Sequence, residues 1–226
     1  MFRILASGAL IVLALALPGL AADPAKCTAK AVAADPPKDL AAPIRDLLSN
    51  DSIQVLEGDK VVCQIWLRKE VAVKADDPKA TLTYRMVPET TVIGAVEFAQ
   101  KWTSFRKQEI KAGLFTMRLA FQPMDGDHMG TAPYSEFLLL SPAKNDQKAG
   151  TMEGKALHEL SAKTIPGQSH PAVMLLFPNP KPEDAPKLVD KGAGNWALSW
   201  KAPAEVNKQK SSLGLGMILF GVTTAE

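Results

Sequence analysis

The sequence predicts an all-β chain: an antiparallel β-sandwich, jelly-roll or immunoglobulin-like in general form, with one or two short helices. Three observations carry that prediction. Apolar residues alternate with period two through several separate stretches. Loops rich in Pro, Gly, Lys and Asp divide those stretches. The β-α-β-α alternation that marks a parallel α/β sheet is missing from the pattern.

Residues 1–22 read as a signal peptide. Arg3 supplies the positive charge, Ile4 to Leu17 is almost wholly apolar, and Pro18-Gly19 breaks the run. Ala21 and Ala22 offer small residues for cleavage. The apolar run is short for a retained membrane anchor. Cys27 lies several residues past those sites, which argues against an acylated lipoprotein cysteine. The expected destination is the periplasm or the cell exterior, with no stable membrane span after cleavage. Residues 23–39 are Ala/Pro/Lys-rich without apolar periodicity, and the expectation there is an extended leader. Residues 40–226 are expected to form a single sandwich domain.

The elements follow in order. "LAAPIRDLLSND" (40–51) predicts a short helix after Pro43. "IQVLEGDKVVCQIWLRK" (53–69) predicts a hairpin that turns at Glu57-Gly58-Asp59-Lys60. Val61, Cys63, Ile65 and Leu67 share one face of its second arm, and Val62, Gln64, Trp66 and Arg68 the other. "TLTYRMV" (81–87) and "TVIGAVEFAQKW" (91–102) read as further strands. In "IKAGLFTMRLAFQP" (110–123), Phe115, Met117, Leu119 and Phe121 point one way; Leu114, Thr116, Arg118 and Ala120 point the other. "FLLLSP" (137–142) is an unbroken apolar run, as in a strand buried on both faces. "TMEGKALHELSAK" (151–163) reads as a short surface helix, with Ala156, Leu157 and Leu160 at helical spacing. "VMLLFP" (173–178), "NWALSWK" (195–201) and "LGLGMILFGV" (213–222) complete a count of about eight strands. Gly214 and Gly216 in the last mark a bulge or close packing. The expected inter-sheet core is Val61, Ile65, Leu67, Phe115, Met117, Leu119, Phe121, Leu139, Leu175, Phe177, Trp196, Leu198, Trp200, Leu215 and Leu219.

Composition excludes some function classes. Lys+Arg number 26 against 24 for Asp+Glu, and removing Arg3 with the signal peptide leaves 25 against 24. A chain so near neutrality has no electrostatic footprint for nucleic acid. Two cysteines, Cys27 and Cys63, stand far apart without a CxxC. In an oxidising compartment they form one disulfide, or Cys63 is a buried thiol and Cys27 an exposed one.

The loop "QPMDGDHMGTAPYSE" (122–136) is the main candidate for chemistry. A loop of that length between two strands tends to be functional. Asp125 and Asp127 alternate as calcium ligands would, but the other oxygen ligands are not at the needed offsets. Asp125, Asp127, His128 and Met129 offer carboxylate, imidazole and thioether to copper or another divalent metal. His158 and His170 are available to join from elsewhere in the chain. The plain alternative is an Asp-Gly-Asp turn whose carboxylates accept backbone N–H bonds. For an organic ligand the candidates are Tyr134 and Arg118. Tyr134 forms an apolar platform with Phe137 or caps the end of the sandwich. Arg118, mid-strand on the face away from the core, alternatively pairs with an acid on a neighbouring strand.

Catalytic signatures are thin. Ser104-Phe105-Arg106-Lys107 has the Ser-x-x-Lys form without its companion motifs, and no G-x-S-x-G is present. The reading is therefore a non-catalytic binding or envelope-associated protein, with a periplasmic copper-type protein as the alternative.

Residues 110–143, together with "VCQIWLRK" before them and "SHPAVMLLFP" after them, resemble secreted proteins of environmental bacteria. The shared pattern is a glycine turn, a strand carrying an arginine, and a Gln-Pro-x-Asp-Gly-x-His loop. The resemblance covers roughly residues 40–222. It implies export and a β-sandwich fold, and carries no assigned activity.

Overall fold

The computed structural model describes residues 23–77, 79–122 and 132–223. In chain order these form β1 (Cys27–Ala33), α1 (Ala42–Arg45), β2 (Leu48–Glu57), β3 (Lys60–Arg68), β4 (Val71–Ala72), β5 (Val92–Phe98), β6 (Trp102–Thr103), β7 (Glu109–Ile110), β8 (Gly113–Phe121), β9 (Glu136–Pro142), α2 (Gly154–Ala162), β10 (Ala172–Leu175), β11 (Lys187–Asp190), β12 (Trp196–Val206) and β13 (Gln209–Phe220). The architecture is all-β and sandwich-like, with short helices. Among the described residues no helix is long and apolar enough to cross a membrane.

A seven-stranded antiparallel sheet runs in the order β1-β2-β3-β5-β8-β9-β10. A four-stranded sheet holds β11-β12-β13, with β4 pairing in parallel with β12. The two sheets meet at both sides. Leu176, just past β10, bridges Met217 on β13, and β1 lies beside β11. Their inner faces bury one apolar cluster that includes Ile53, Val55, Ile65, Val96, Phe115, Met117, Leu119, Leu138, Leu140, Leu198, Leu215 and Met217. Each such side chain contributes about 1.5–3 kcal/mol by leaving water.

The glycines of β13 let the joined side close. A Cβ on Gly214 would stand 1.8 Å from the Asn179 carbonyl oxygen, and one on Gly216 would stand 2.7 Å from that of Phe177. The backbone of 177–179 thus lies directly against the strand, as the expectation of close packing required. Tyr84 fastens the same side: its hydroxyl donates to the Phe177 carbonyl (2.7 Å) and accepts from Gly216 N (3.0 Å).

Several sequence expectations need correction. The leader contributes β1, paired with β2 along its whole length. Alternate alanines fit a sheet edge, but alanine carries too little apolar signal to show the period. The helix at 40–51 stops at Arg45, and β2 begins at Leu48. Residues 81–87 are no strand; they hold a 3-10 turn at Tyr84–Met86. Val61, expected in the core, is exposed while Val62 is buried. The register slips there, with Val55 opposite Cys63 but Leu56 opposite Val61. One extra residue in the strand switches the face of everything on its far side. Trp196 and Trp200 are only half buried.

Cys27 and Cys63 are both free thiols. They flank β2 from opposite sides, on β1 and β3. Strands two apart are separated by about 10 Å, beyond the roughly 7 Å that a disulfide spans between Cα atoms. Burial pushes the Cys63 thiol up to about 12 and the Cys27 thiol up to about 11.

Candidate functional site

The outer face of the large sheet is covered as well, and β8 shows how. Leu114 packs with the cluster under α1, which includes Ile44, Leu48, Trp66 and Ala95. Ala120 packs with the cluster under α2, which includes Phe105, Phe137, Leu139, Leu157 and Val173. Between them lie Thr116 and Arg118, both fully buried.

Arg118 therefore sits inside the protein rather than on an open face. Its Nε donates to Asp146 Oδ2 (2.7 Å) and its Nη2 to Asp146 Oδ1 (2.9 Å). Nη1 donates to the carbonyls of Thr90 (2.8 Å) and Gly150 (2.9 Å), and Nη2 also to that of Lys148. Thr116 Oγ1 donates to Asp146 Oδ2 (2.7 Å). A guanidinium has five N–H donors, and five acceptors of the protein take them. Arg118 has none left for a ligand, which corrects the expectation that it binds one. Its partner acid comes from the segment after β9, not from a neighbouring strand.

Tyr134 is more than one-third exposed, and its ring meets Phe177 edge-on at 4.7 Å between centroids. Asp125, Asp127, His128 and Met129 lie outside the described residues. Among the described residues no group of three or more His, Cys, Asp and Glu is arranged to hold a metal.

A pocket of about 120 Å³ opens on the outer face beside α2. Its floor comes from three strands: Ala120 and Phe121 of β8, Phe137 and Leu139 of β9, and Val173 of β10. Ala120 faces Phe137 across one strand pair, and Leu139 faces Val173 across the next. Cross-strand partners share a face, so these four make one apolar patch. The small Ala120 leaves the depression. Arg106, His158 and His170 line the sides, with Pro171, and so do Gln122 and Ala132.

Side-chain hydrogen bonds fix those walls. Arg106 sits in the turn between β6 and β7. That hairpin is anchored by Trp102, which stacks on Phe98 at 4.7 Å and donates from Nε1 to the Leu219 carbonyl (2.6 Å). Gln108 ties the turn to the wall beyond it. Its Nε2 donates to the Pro171 carbonyl (2.8 Å), and its Oε1 accepts from Val173 N (3.1 Å) and Ser104 Oγ (3.1 Å). His158 rides on α2, whose Leu157 and Ser161 are fully buried. Ser161 Oγ donates to the Leu140 carbonyl (2.6 Å) and accepts from Ala172 N (3.0 Å). Thr164 Oγ1 donates to the same Leu140 carbonyl (2.9 Å). The rim is thus held to the sheet by buried and part-buried bonds, each worth about 1 kcal/mol net.

Arg106, Phe137, His158 and His170 were each visible in the sequence, but nothing in their spacing joins them. Arg106 stood inside the Ser-x-x-Lys form that lacks its companion motifs. Ser104 of that motif bonds Gln108 and Lys107 points into solvent, so no nucleophile–base pair forms there.

No protein-family profile matches the chain, and neither the curated proteins nor the solved structures contain a match to it.

Proposed function

We propose that this is an exported, non-catalytic binding protein of the periplasm or cell exterior, which takes a small organic ligand in the pocket over β8, β9 and β10. One observation supports this above the rest. An apolar floor and a polar rim meet in a depression of about 120 Å³, and the rim is pinned by side-chain hydrogen bonds from half-buried Gln108 and buried Ser161. Preformed pockets of this type, mostly apolar with a few placed polar groups, are the usual form of small-molecule sites.

The test is a titration of ¹⁵N-labelled mature protein with benzoate, benzamide and benzylamine, read by amide shifts. Binding at this site moves the amides of Ala120, His158, His170 and Val173 together and saturates. Shifts that are absent, or scattered over the surface, remove the reading. Export is checked separately by fusing residues 1–40 to a reporter active only outside the cytoplasm.

A second reading, a copper-type site, is supported by a specific placement. His158 and His170 line one pocket, and so do Gln122 and Ala132, the described residues that flank the stretch containing Asp125, Asp127, His128 and Met129. Metal analysis of protein recovered from the periplasm, beside His128→Ala and His170→Ala variants, decides it. Stoichiometric copper or zinc lost in both variants upholds the metal site; no metal in any of the three removes it.

A further inference from the structure

We infer that the ligand is a small organic monocarboxylate with a short apolar body, its carboxylate at Arg106 and its carbon skeleton on the floor of Ala120, Phe137, Leu139 and Val173. The inference rests on the pocket reading above and adds the ligand's chemistry to it.

Charge comes first. The lining contains one arginine, two histidines and no carboxylate among the described residues. The other described arginines all donate to protein acceptors: Arg45 to the Lys38 carbonyl, Arg68 to that of Glu70, Arg85 to Glu136 and Arg118 to Asp146. The side chains of Arg106, His158 and His170 have no hydrogen-bond or ion-pair partner among the described residues. A planar guanidinium with open donors matches a carboxylate in two-pronged geometry. The imidazoles beside it add donors to the same side. A cationic ligand would meet Arg106 with no acid among the described lining residues to offset it.

Size and polarity come next. The volume of about 120 Å³ is a little below the roughly 150 Å³ of an engineered apolar cavity that holds benzene. One ring or a chain of a few carbons therefore covers the floor. An inorganic anion would satisfy Arg106 and leave that floor to water. Among the described residues a larger polyanion would meet one arginine and two imidazoles.

The geometry also orients the ligand. Gln108 bonds the Arg106 turn to Pro171 and Val173, so the head-group side is held at a set distance from the floor. Gln108 acts here as a positioning residue.

The decisive experiment is calorimetry of the full mature chain with benzoate, its neutral isostere benzamide and the cation benzylamine, for the native protein and Arg106→Gln. The expected result is benzoate binding roughly 1.5- to 5-fold more tightly than benzamide, the range of an exposed ion pair. Benzylamine should be weakest, and Arg106→Gln should erase the preference for benzoate. Arg106 is exposed, so the variant folds. Equal affinity for benzoate and benzamide in the native protein overturns the carboxylate inference and leaves the pocket reading standing. A preference for benzylamine overturns it too. If none of the three moves the pocket amides, both readings fall together.

Discussion

Arg118 and Arg106 are the same residue type on the same side of the same sheet, and they do opposite things. Arg118 is fully buried, and all five of its donors are taken by Asp146 and three carbonyls. Arg106 stands at the rim of the pocket with no partner among the described residues. The first clamps the segment 146–150 over the strand; the second is available to something outside the chain. Burial with full satisfaction marks an arginine of the scaffold, and placement without a partner marks one of the surface that binds.

The comparison breaks most easily at Arg118. Arg118→Met keeps the bulk and leaves Asp146 buried without a counter-charge. Urea unfolding should show a loss of about 3–5 kcal/mol. Adding Asp146→Leu should restore only part, because the Thr90, Lys148 and Gly150 carbonyls still lack their donor. A single-variant loss under about 1 kcal/mol would dissolve the distinction between the two arginines. Gln108→Ala lies between them: it removes hydrogen bonds from the fold and loosens the rim. The expected cost is about 1–3 kcal/mol in the same assay, together with weaker benzoate binding. Unchanged binding would show that the rim does not depend on that tie.

Alkali acts on the buried side alone. Burial holds the Cys63 thiol at about 12 in the folded chain, against 9.0 for a free thiol. Above pH 9 the unfolded state releases the proton and the folded state keeps it. Stability should be whole below that pH and fall as pH rises toward 12, by up to about 1.4 kcal/mol per pH unit. The Tyr84 hydroxyl, raised by burial, adds in the same direction. A Cys63→Ala variant should show a shallower slope in unfolding curves taken from pH 8.5 upward; an identical slope assigns the loss to other groups. The smallest effect belongs to Arg106→Gln, whose unfolding free energy should stay within about 0.5 kcal/mol of the native value. A larger loss would mean that Arg106 is part of the scaffold after all.

Much of the fold was legible wherever alternation was strong. Phe115, Met117 and Leu119 announce the inner face of β8. "FLLLSP" announces a strand covered on both sides, and Glu57 to Lys60 announce a turn. What stayed hidden has three physical sources. Alanine in β1 is too weakly apolar to show a period. The bulge at Val62 shifts the faces by one, and period-two reasoning does not foresee an added residue. Coverage of the outer face is tertiary: Thr116 and Arg118 look solvent-facing until the segment after β9 folds over them. The pocket is hidden for the third reason, since its residues run from 106 to 173 and meet only in space. Of the expected site residues, Tyr134 meets Phe177 edge-on and Arg118 has all its donors taken inside the protein, while Asp125, Asp127, His128 and Met129 lie outside the described residues.

The seven-stranded sheet is assembled from strands that follow one another along the chain, whereas the sheet that covers it, apart from the short β4, comes from residues after 186. Short-range pairings close quickly and long-range ones slowly. A chain emerging N-terminus first would complete its large sheet while the apolar inner face still waits for β12 and β13. The edge of β1, first to appear, has its neighbour β11 only near the end. The nascent molecule therefore passes through a half-built stage, one greasy face open to its surroundings, and that interval is when it most needs protection from aggregation.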